Sequence, residues 1–376
     1  MGLFQHKFRP QFNMNGKQFY YSKSSYNNFS ERSIEVPVAK DFFNKYKEKK
    51  ILEVGNVFKN YNNEKVTWDV IDKFEVSPNV LNIDLMDYEP VNKYDAIVSV
   101  STIEHIGQTT EPTGTYGENT LDKDREAPLK AIIKIYNLLK LEGEAFITVP
   151  YGKLVDFKWL IQFNKEYLYL LFAKFGLPKE DVNFIFYKKT DMELMGNPPV
   201  QLWEQVNMEQ LSDTKFDSPF PCANGIVFIF IKRTKSKDII LNINQPETNL
   251  FYNDPDIIPN FYFSKFTHLH SFDSSGWIQI PKQGLISMYP EIQLDNGEYE
   301  ITIEIEVKGN KRVYFDLSVN NKSFLNYEFA AEKKVKTKFN LSESKNIVSI
   351  NLYSGTDQEI RGEFRVKQIS LAKIIN

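Results

Sequence analysis

The stretch Ile51-Leu52-Glu53-Val54-Gly55-Asn56 decides the fold class, because a short apolar run stops at a glycine. A run of this length that ends at a turn residue is typical of a buried strand. Similar apolar runs follow at 66–71, 80–83, 94–100 and 144–149. We therefore expect a series of buried strands over this part of the chain.

Helical segments separate and follow these strands. Apolar residues recur at helical spacing over 127–141, and a helix-rich insertion is expected over 157–175. Two late strands are expected near 183–187 and 225–231. Strands that alternate with helices form parallel sheets, so the pattern predicts a Rossmann-like α/β fold with a largely parallel sheet.

The chain changes character near residue 237. The stretch 242–260 is rich in Asn, Asp and Pro, and beyond it apolar and polar residues alternate, as over 299–307. Alternation with period two predicts an antiparallel β-sandwich, jelly-roll-like in form. We accordingly divide the chain into an α/β domain at 1–237 (with a lead-in at 1–48), a linker at 238–260 and a sandwich at 261–376.

The composition narrows the class of protein. The 376 residues suffice for two cores, and 42% hydrophobic and 25% charged residues are ordinary for a globular protein. A net charge of −3 gives no reason to expect nucleic acid or an anionic membrane as partner. The single cysteine, Cys222, cannot form an internal disulfide, and no apolar run approaches the ~20 residues of a spanning helix. We expect a cytoplasmic protein without a transmembrane segment, and leave a homo-oligomer open.

The predicted strand ends carry the candidate ligand-binding residues. Open α/β sheets bind ligands beyond the carboxyl ends of their strands. Glu53, Gly55 and Asn56 stand at the first such end, Asp72 at the second and Asp84 at the third. Glycine permits close approach of a ligand, and the carboxylates suit a cationic amine, a ribose diol and an adenine amino group, in that order.

Longer segments extend this pattern to a family resemblance. The segments are Glu53-Val54-Gly55-Asn56-Val57, the run 94–106 with Ser101-Thr102-Ile103-Glu104-His105, and the run 138–150. In their order and spacing they resemble class I S-adenosylmethionine-dependent methyltransferases, and more narrowly those of bacterial surface-polysaccharide pathways. Residues 30–37 look like the lead-in of that group, and the resemblance covers roughly residues 20 to 235.

The resemblance implies a role for each candidate residue. Glu53 and Gly55, with Asn56 following, would lie under the methionine part of S-adenosylmethionine, and Asp72 would hold the ribose. The adenine would be framed by Asp84 and Leu85, and Thr102 would lie near the sulfonium. The sequence departs from the family where the usual Gly-x-Gly is replaced by Gly55-Asn56-Val57.

Catalysis of methyl transfer to an alcohol calls for a base. His105 follows a strand end and is the candidate general base, with Glu104 beside it as the fallback; alternatively, His105 caps or packs a helix. The polar segment 107–118 fits either a substrate lid or a plain insertion. Three charged residues ahead of the first strand fit either the acceptor pocket or a structural ion pair, namely Glu31, Arg32 and Glu35.

These observations favour a methyltransferase that O-methylates a sugar of a bacterial surface glycan or its nucleotide- or lipid-linked precursor. The sandwich would bind carbohydrate, with four candidate aromatics: Trp277, Tyr289, Tyr314 and Tyr353. Two alternatives remain. One is a catalytically degenerate glycan-binding protein, favoured by the irregular Gly55-Asn56 turn; the other is a nucleotide-sugar epimerase or dehydrogenase, which the absent Gly-x-Gly-x-x-Gly opposes. No metal site is predicted, because His268 and His270 lack a third ligand.

Overall fold

The computed structural model describes residues 11–22, 30–61, 67–108, 124–193, 200–217, 220, 222–241, 246–248, 250, 257–258, 267–268, 277–280, 284–309, 311–355 and 362–374. The segment 107–118 lies outside these residues beyond Gln108, and so does His270. In the described ranges, no helix combines the length and apolarity that crossing a bilayer requires.

The first part of the chain is a mixed α/β unit. Its helices are α1 (Arg32–Tyr46), α2 (Val57–Tyr61), α3 (Ala127–Leu138) and α4 (Lys165–Ala173). Its strands are β1 (Gln11–Met14), β2 (Lys17–Tyr20), β3 (Ile51–Val54), β4 (Asp69–Ile71), β5 (Tyr94–Val100), β6 (Leu139–Pro150), β7 (Val155–Asp156), β8 (Ile161–Gln162), β9 (Val182–Glu193), β10 (Val200–Val206) and β11 (Gly225–Lys232).

Seven of these strands form one sheet, in the order β10-β9-β11-β6-β5-β3-β4. The pairs β3·β4, β3·β5 and β5·β6 are parallel, and the remaining pairs are antiparallel. The sheet is thus mixed, and the expected parallel character holds for one side of it. The chain runs outward from β3 to β4 and returns to β5 on the other side of β3, so a ligand crevice is expected at these strand ends.

Helix α3 is shorter than the predicted 127–141, and the reason is a buried arginine. Arg233 donates hydrogen bonds from Nη1 to the carbonyl oxygens of Asn137 (2.8 Å) and Leu139 (2.9 Å). These carbonyls would otherwise lack partners at the helix end. The chain then passes directly into β6 at Leu139.

Three further sequence predictions need correction. Residues 80–83 form no strand: Leu81 makes one isolated bridge to Ile71, and Asp84 caps a 3-10 turn by accepting from the N–H of Met86. Within 157–175 only α4 is helical, because Asp156 accepts from the N–H of Lys158 and turns the chain into the β7–β8 hairpin. The predicted strand at 66–71 starts only at β4, and β10 was not predicted.

The second part consists of antiparallel strands. They are β12 (Ile257–Ile258), β13 (Thr267–His268), β14 (Ile278–Gln279), β15 (Gly284–Leu294), β16 (Gly297–Gly309), β17 (Val313–Val319), β18 (Lys322–Phe329), β19 (Lys333–Leu341), β20 (Asn346–Ser354) and β21 (Gly362–Lys373). One sheet has the order β12-β21-β16-β19, with β14 on β21, and the other β13-β15-β20-β17-β18. Residues of both sheets share one buried core, which confirms an antiparallel sandwich.

The outer faces of the two sandwich sheets differ in chemistry. On β16, Glu300 and Glu304 pair with lysines of β19 at 2.7 and 3.0 Å, as on an ordinary solvated face. On the other sheet, Tyr314 stands opposite Tyr353 and Asp316 opposite Asn351. Because their neighbours along each strand are core residues, these side chains lie on the outer face of the sheet. Asp316 is buried there and accepts from the hydroxyl groups of Ser318 and Ser323.

Candidate functional site

A cleft of about 520 Å³ opens at the carboxyl ends of β3, β4 and β5. Six of the nine candidate cofactor-binding and catalytic residues line it: Gly55, Asp72, Asp84, Leu85, Thr102 and His105. Three others do not, namely Glu53, Asn56 and Glu104. The structure thus brings most of the candidates to one concave surface.

The floor of the cleft is made by Gly55 and Thr102. Gly55 has a φ of +79°, and a Cβ atom there would lie 2.1 Å from Oγ1 of Thr102. Only glycine therefore fits this contact without displacing Thr102. The absence of a side chain leaves the backbone of the β3 end open to a ligand.

Asp72 lies directly after β4 and organises the loop that follows. Its Oδ1 accepts from the N–H groups of Phe74 and Glu75, both at 2.8 Å, and its Oδ2 accepts from the N–H of Asn56 at 3.3 Å. Oδ2 thus carries one long hydrogen bond, and a carboxylate oxygen accepts two. Asn56 is buried and supports the cleft from behind, donating from Nδ2 to Glu75.

The far side of the cleft carries an ion pair and an exposed aromatic ring. Lys73 Nζ lies 2.8 Å from Oδ2 of Asp84, whose Oδ1 accepts from the N–H of Met86 at 2.8 Å. Phe74 is 45% exposed and lines the cleft, as does the buried Leu85. A flat apolar group bound here would have a ring and aliphatic side chains to pack against.

Glu53 is buried behind the cleft. Its Oε1 accepts from the N–H of Lys59 at 3.0 Å, near the end of α2, and its Oε2 from Nε1 of Trp68 at 2.9 Å. Burial raises the pKa of Glu53 to about 7, although both donors act to lower it. Its carboxylate serves the fold at this point and does not contact the cleft.

His105 is held at the edge of the cleft by Trp159. Its Nδ1 lies 2.9 Å from the Trp159 carbonyl oxygen, and the two rings stack with centroids 5.1 Å apart. A carbonyl only accepts, so Nδ1 carries the proton and Nε2 of the neutral ring has a lone pair. Nε2 lies 3.8 Å from Oε1 of Glu104, a buried carboxyl whose pKa burial raises well above its ordinary value.

The start of α1 adds a charged cluster beside His105. Arg32 lines the cleft, donates from Nη1 to Glu35 and lies 3.6 Å from Oε1 of Glu31. Glu35 also accepts from Oγ of Ser101 at 2.8 Å. Burial acts to lower the pKa of Arg32, but Glu35 and Glu31 outweigh it and raise that pKa. The ion pair expected from the sequence is present, and its arginine reaches the cleft.

Several cleft residues escaped the sequence analysis, namely Lys73, Phe74, Ile83 and Ser101. Lys73 and Phe74 directly follow Asp72, and Ser101 directly precedes Thr102. Their positions beside predicted strand ends were the available signal. Ser101 has a φ of +39°, an uncommon backbone conformation for a residue other than glycine.

No family model and no curated protein matches the chain. Solved structures with detectable similarity include methyltransferases and carbohydrate-binding modules. An N-methyltransferase NodS from Bradyrhizobium japonicum WM9, in complex with S-adenosyl-L-homocysteine, is 10% identical over 55% of this chain and 92% of its own, with a TM-score of 0.28. A SAM-dependent methyltransferase from Thermotoga maritima is 15% identical over 54% and 87%, with a TM-score of 0.30.

The carbohydrate-binding modules match a smaller share of the chain. A carbohydrate-binding module CBM36, in complex with calcium and xylotriose, is 9% identical over 32% of this chain and 94% of its own, with a TM-score of 0.20.

Proposed function

We propose that the protein is an S-adenosylmethionine-dependent methyltransferase. The observation that carries the proposal is the cleft at the strand ends, where Gly55, Asp72 and Thr102 meet. Its volume of about 520 Å³ falls within the range of small-molecule sites, about 300–1,000 Å³. The residues fit the donor: Asp72 has capacity to accept from a ribose hydroxyl, and Gly55 admits a ligand close to the backbone.

The donor would lie across β3. Its adenine would pack between Phe74 and Leu85 near Asp84, its ribose would face Asp72, and its sulfonium would lie near Thr102. S-adenosylmethionine supplies an electrophilic methyl group when it is bound. We also propose the domain boundaries given above, with one refinement: Ile239, Leu241 and Leu250 pack against the first core, so much of the linker belongs with the α/β domain.

The chain's own contribution to transfer is positioning and proton removal. In-line displacement at a methyl group depends on alignment of the reactants. We propose His105 as the general base, because the Trp159 carbonyl leaves its Nε2 with the lone pair. Oε1 of Glu104 lies 3.8 Å from Nε2, and an imidazolium formed there would favour the ionised form of this buried carboxyl group.

The acceptor that we propose is a sugar hydroxyl of a surface glycan or its precursor, held in part by the sandwich. The face of β17 and β20 carries the Tyr314–Tyr353 pair beside Asp316 and Asn351. Both tyrosines are half-buried, and aromatic rings that are partly accessible beside hydrogen-bonding groups can stack against a sugar. Glycan-array binding should therefore fall in Tyr314→Ala and Tyr353→Ala and persist in Lys336→Ala, on the opposite sheet.

The first experiment is calorimetric titration with S-adenosylhomocysteine. Wild type should bind, Asp72→Ala should lose binding, and the control Asp213→Ala, at an exposed residue outside the cleft lining, should keep it. If folded wild type does not bind S-adenosylhomocysteine, the proposed donor site is wrong and the glycan-binding alternative remains. Binding of a nicotinamide dinucleotide in place of the donor would favour the epimerase or dehydrogenase alternative.

A further inference from the structure

Glu53, the residue that the sequence assigned to the donor's amino-acid end, does not line the cleft. Glu53 is 1% exposed, and its carboxylate accepts from Lys59 and Trp68. Turning it toward the cleft would leave the buried Trp68 Nε1 without this acceptor, which is costly. A different residue must bind the carboxylate and ammonium of the donor.

Arg32 is in position to do so. It lines the cleft together with Ser101, Thr102 and His105, on the β5 side, whereas Asp72 stands on the β4 side. Because β3 lies between β4 and β5, a donor whose ribose faces Asp72 extends its amino-acid end toward Arg32. The ribose of the donor would thus face a carboxylate on the β4 side of the cleft, and its amino-acid end would face a guanidinium on the β5 side.

The guanidinium of Arg32 is held in place through one of its nitrogen atoms, and its other N–H groups are available to a ligand. Nη1 donates to Glu35, which is itself fixed by Oγ of Ser101. Within the described part of the chain, Nε and Nη2 donate no hydrogen bond, and the Arg32 side chain is 18% exposed. An arginine fork with free donors is suited to a carboxylate, which it can bind through two hydrogen bonds.

The surroundings of Arg32 hold more carboxyl groups than cations. Three buried carboxyl groups, those of Glu31, Glu35 and Glu104, surround one guanidinium. Oε2 of Glu31 and Oε2 of Glu104 are buried and have no hydrogen-bond partner in the described residues. Burial raises the pKa of Glu35 and of Glu104, so a further cation bound beside them would favour their ionised forms. A matching ligand therefore pairs a carboxylate, for the guanidinium, with a cationic group, for the carboxyl groups.

We propose that Arg32 binds the α-carboxylate of the methyl donor, and that the surplus carboxylates of Glu31 and Glu104 stabilise its ammonium and sulfonium. The inference rests on the proposed function and locates the amino-acid subsite on α1 rather than on β3. S-adenosylmethionine carries one carboxylate, one ammonium and one sulfonium. The carboxylate complements the guanidinium of Arg32, and the two cationic groups complement the carboxyl groups around it.

The test compares two ligands that differ only at that end. S-adenosylhomocysteine carries the amino acid, and 5′-methylthioadenosine replaces it with a methyl group. Calorimetry on wild type should give at least tenfold tighter binding of S-adenosylhomocysteine. Arg32→Gln should weaken S-adenosylhomocysteine about tenfold to a hundredfold, the range for a charge-assisted bidentate contact. It should leave 5′-methylthioadenosine within twofold, which also reports that the variant is folded.

Lys73→Ala is the matched control, because Lys73 lines the other end of the cleft. It should weaken both ligands by the same factor. Should Arg32→Gln fail to fold, wild type is titrated with the analogue of S-adenosylhomocysteine that lacks only the carboxylate, and the same loss is expected. Two results overturn the Arg32 inference but leave the methyltransferase proposal standing. In the first, wild type binds the carboxylate-free analogue as tightly as S-adenosylhomocysteine. In the second, Arg32→Gln keeps the wild-type ratio of affinities for S-adenosylhomocysteine and 5′-methylthioadenosine. Failure of folded wild type to bind either adenosine ligand overturns the methyltransferase proposal with it.

Discussion

Oε2 of Glu53 accepts a hydrogen bond from Nε1 of Trp68 at 2.9 Å, and the carboxyl group is buried outside the cleft lining. The same carboxyl group accepts from the N–H of Lys59, an amide in the last turn of α2. α2 spans only Val57–Tyr61, so it depends on such contacts rather than on its own length. Glu53 therefore joins β3 to α2 and to the segment that precedes β4.

The pH dependence of stability should report on Glu53. Burial raises its pKa from 4.5 to about 7, so folding favours the protonated form. That contribution is fully present below pH 4.5 and is lost as the pH rises through 7. Relative to Glu53→Gln, wild type should lose about 3 kcal/mol of unfolding free energy across this window. Urea unfolding at a series of pH values measures it, and a constant difference between the two proteins would contradict the prediction.

The apolar strands of the sheet were predictable because burial on both faces leaves a continuous apolar run, as in β3 and β5. Residues 80–83 show the same pattern without forming a strand, because side-chain capping by Asp84 turns the chain. Local pattern does not reveal which partner a side chain will meet. Glu53 at a strand end resembled a ligand-binding carboxylate, and the sequence does not reveal that its carboxyl group accepts from Trp68 and Lys59.

In the candidate site, the residues that directly follow predicted strands were predictable, and those brought in by tertiary packing were not. Asp72, Gly55 and Thr102 reach the cleft because each follows a strand whose end the sequence marks. Arg32 lies on a helix ahead of the sheet, and its place beside Thr102 depends on the packing of α1. Contacts between segments about 70 residues apart, such as Glu35 with Ser101, are a tertiary property that periodicity does not encode.

Two glycines with the same backbone conformation allow steric contact to be separated from backbone strain. Gly55 and Gly16 have φ values of +79° and +78°, but a Cβ at Gly16 meets no atom within 4 Å. Gly16→Ala should cost about 1 kcal/mol and leave S-adenosylhomocysteine binding unchanged. Gly55→Ala should weaken that binding at least tenfold, because Thr102 must move. Calorimetry and thermal unfolding compare the two, and equal affinities would show that the Thr102 contact is dispensable.

Arg233 should be irreplaceable even by lysine. Its side chain is 2% exposed, and its three nitrogens donate to carbonyl oxygens at the end of α3, at Lys235 and at Ser236, and to Asp238. One ammonium cannot reach all of these acceptors, and the buried carbonyls would lose their partners. Arg233→Lys should lower the unfolding free energy by about 2–4 kcal/mol.

The neighbouring residue provides the control for this substitution. Lys232 is exposed and pairs with Glu142, so Lys232→Ala should leave the unfolding midpoint unchanged. Chemical unfolding of both variants measures the comparison. A similar small effect from each would mean that α3 ends at Leu138 without help from the Arg233 guanidinium.

His105→Asn separates proton removal from positioning. The asparagine amide can still donate to the Trp159 carbonyl, but it has no counterpart of Nε2. If Nε2 takes the acceptor's proton, kcat should fall about 10²–10⁴-fold with the acceptor found by screening. The dissociation constant of S-adenosylhomocysteine should stay within twofold, because no donor contact is removed. A kcat within threefold of wild type would reduce His105 to a packing partner of Trp159 and would leave Glu104, 3.8 Å away, as the base to test next.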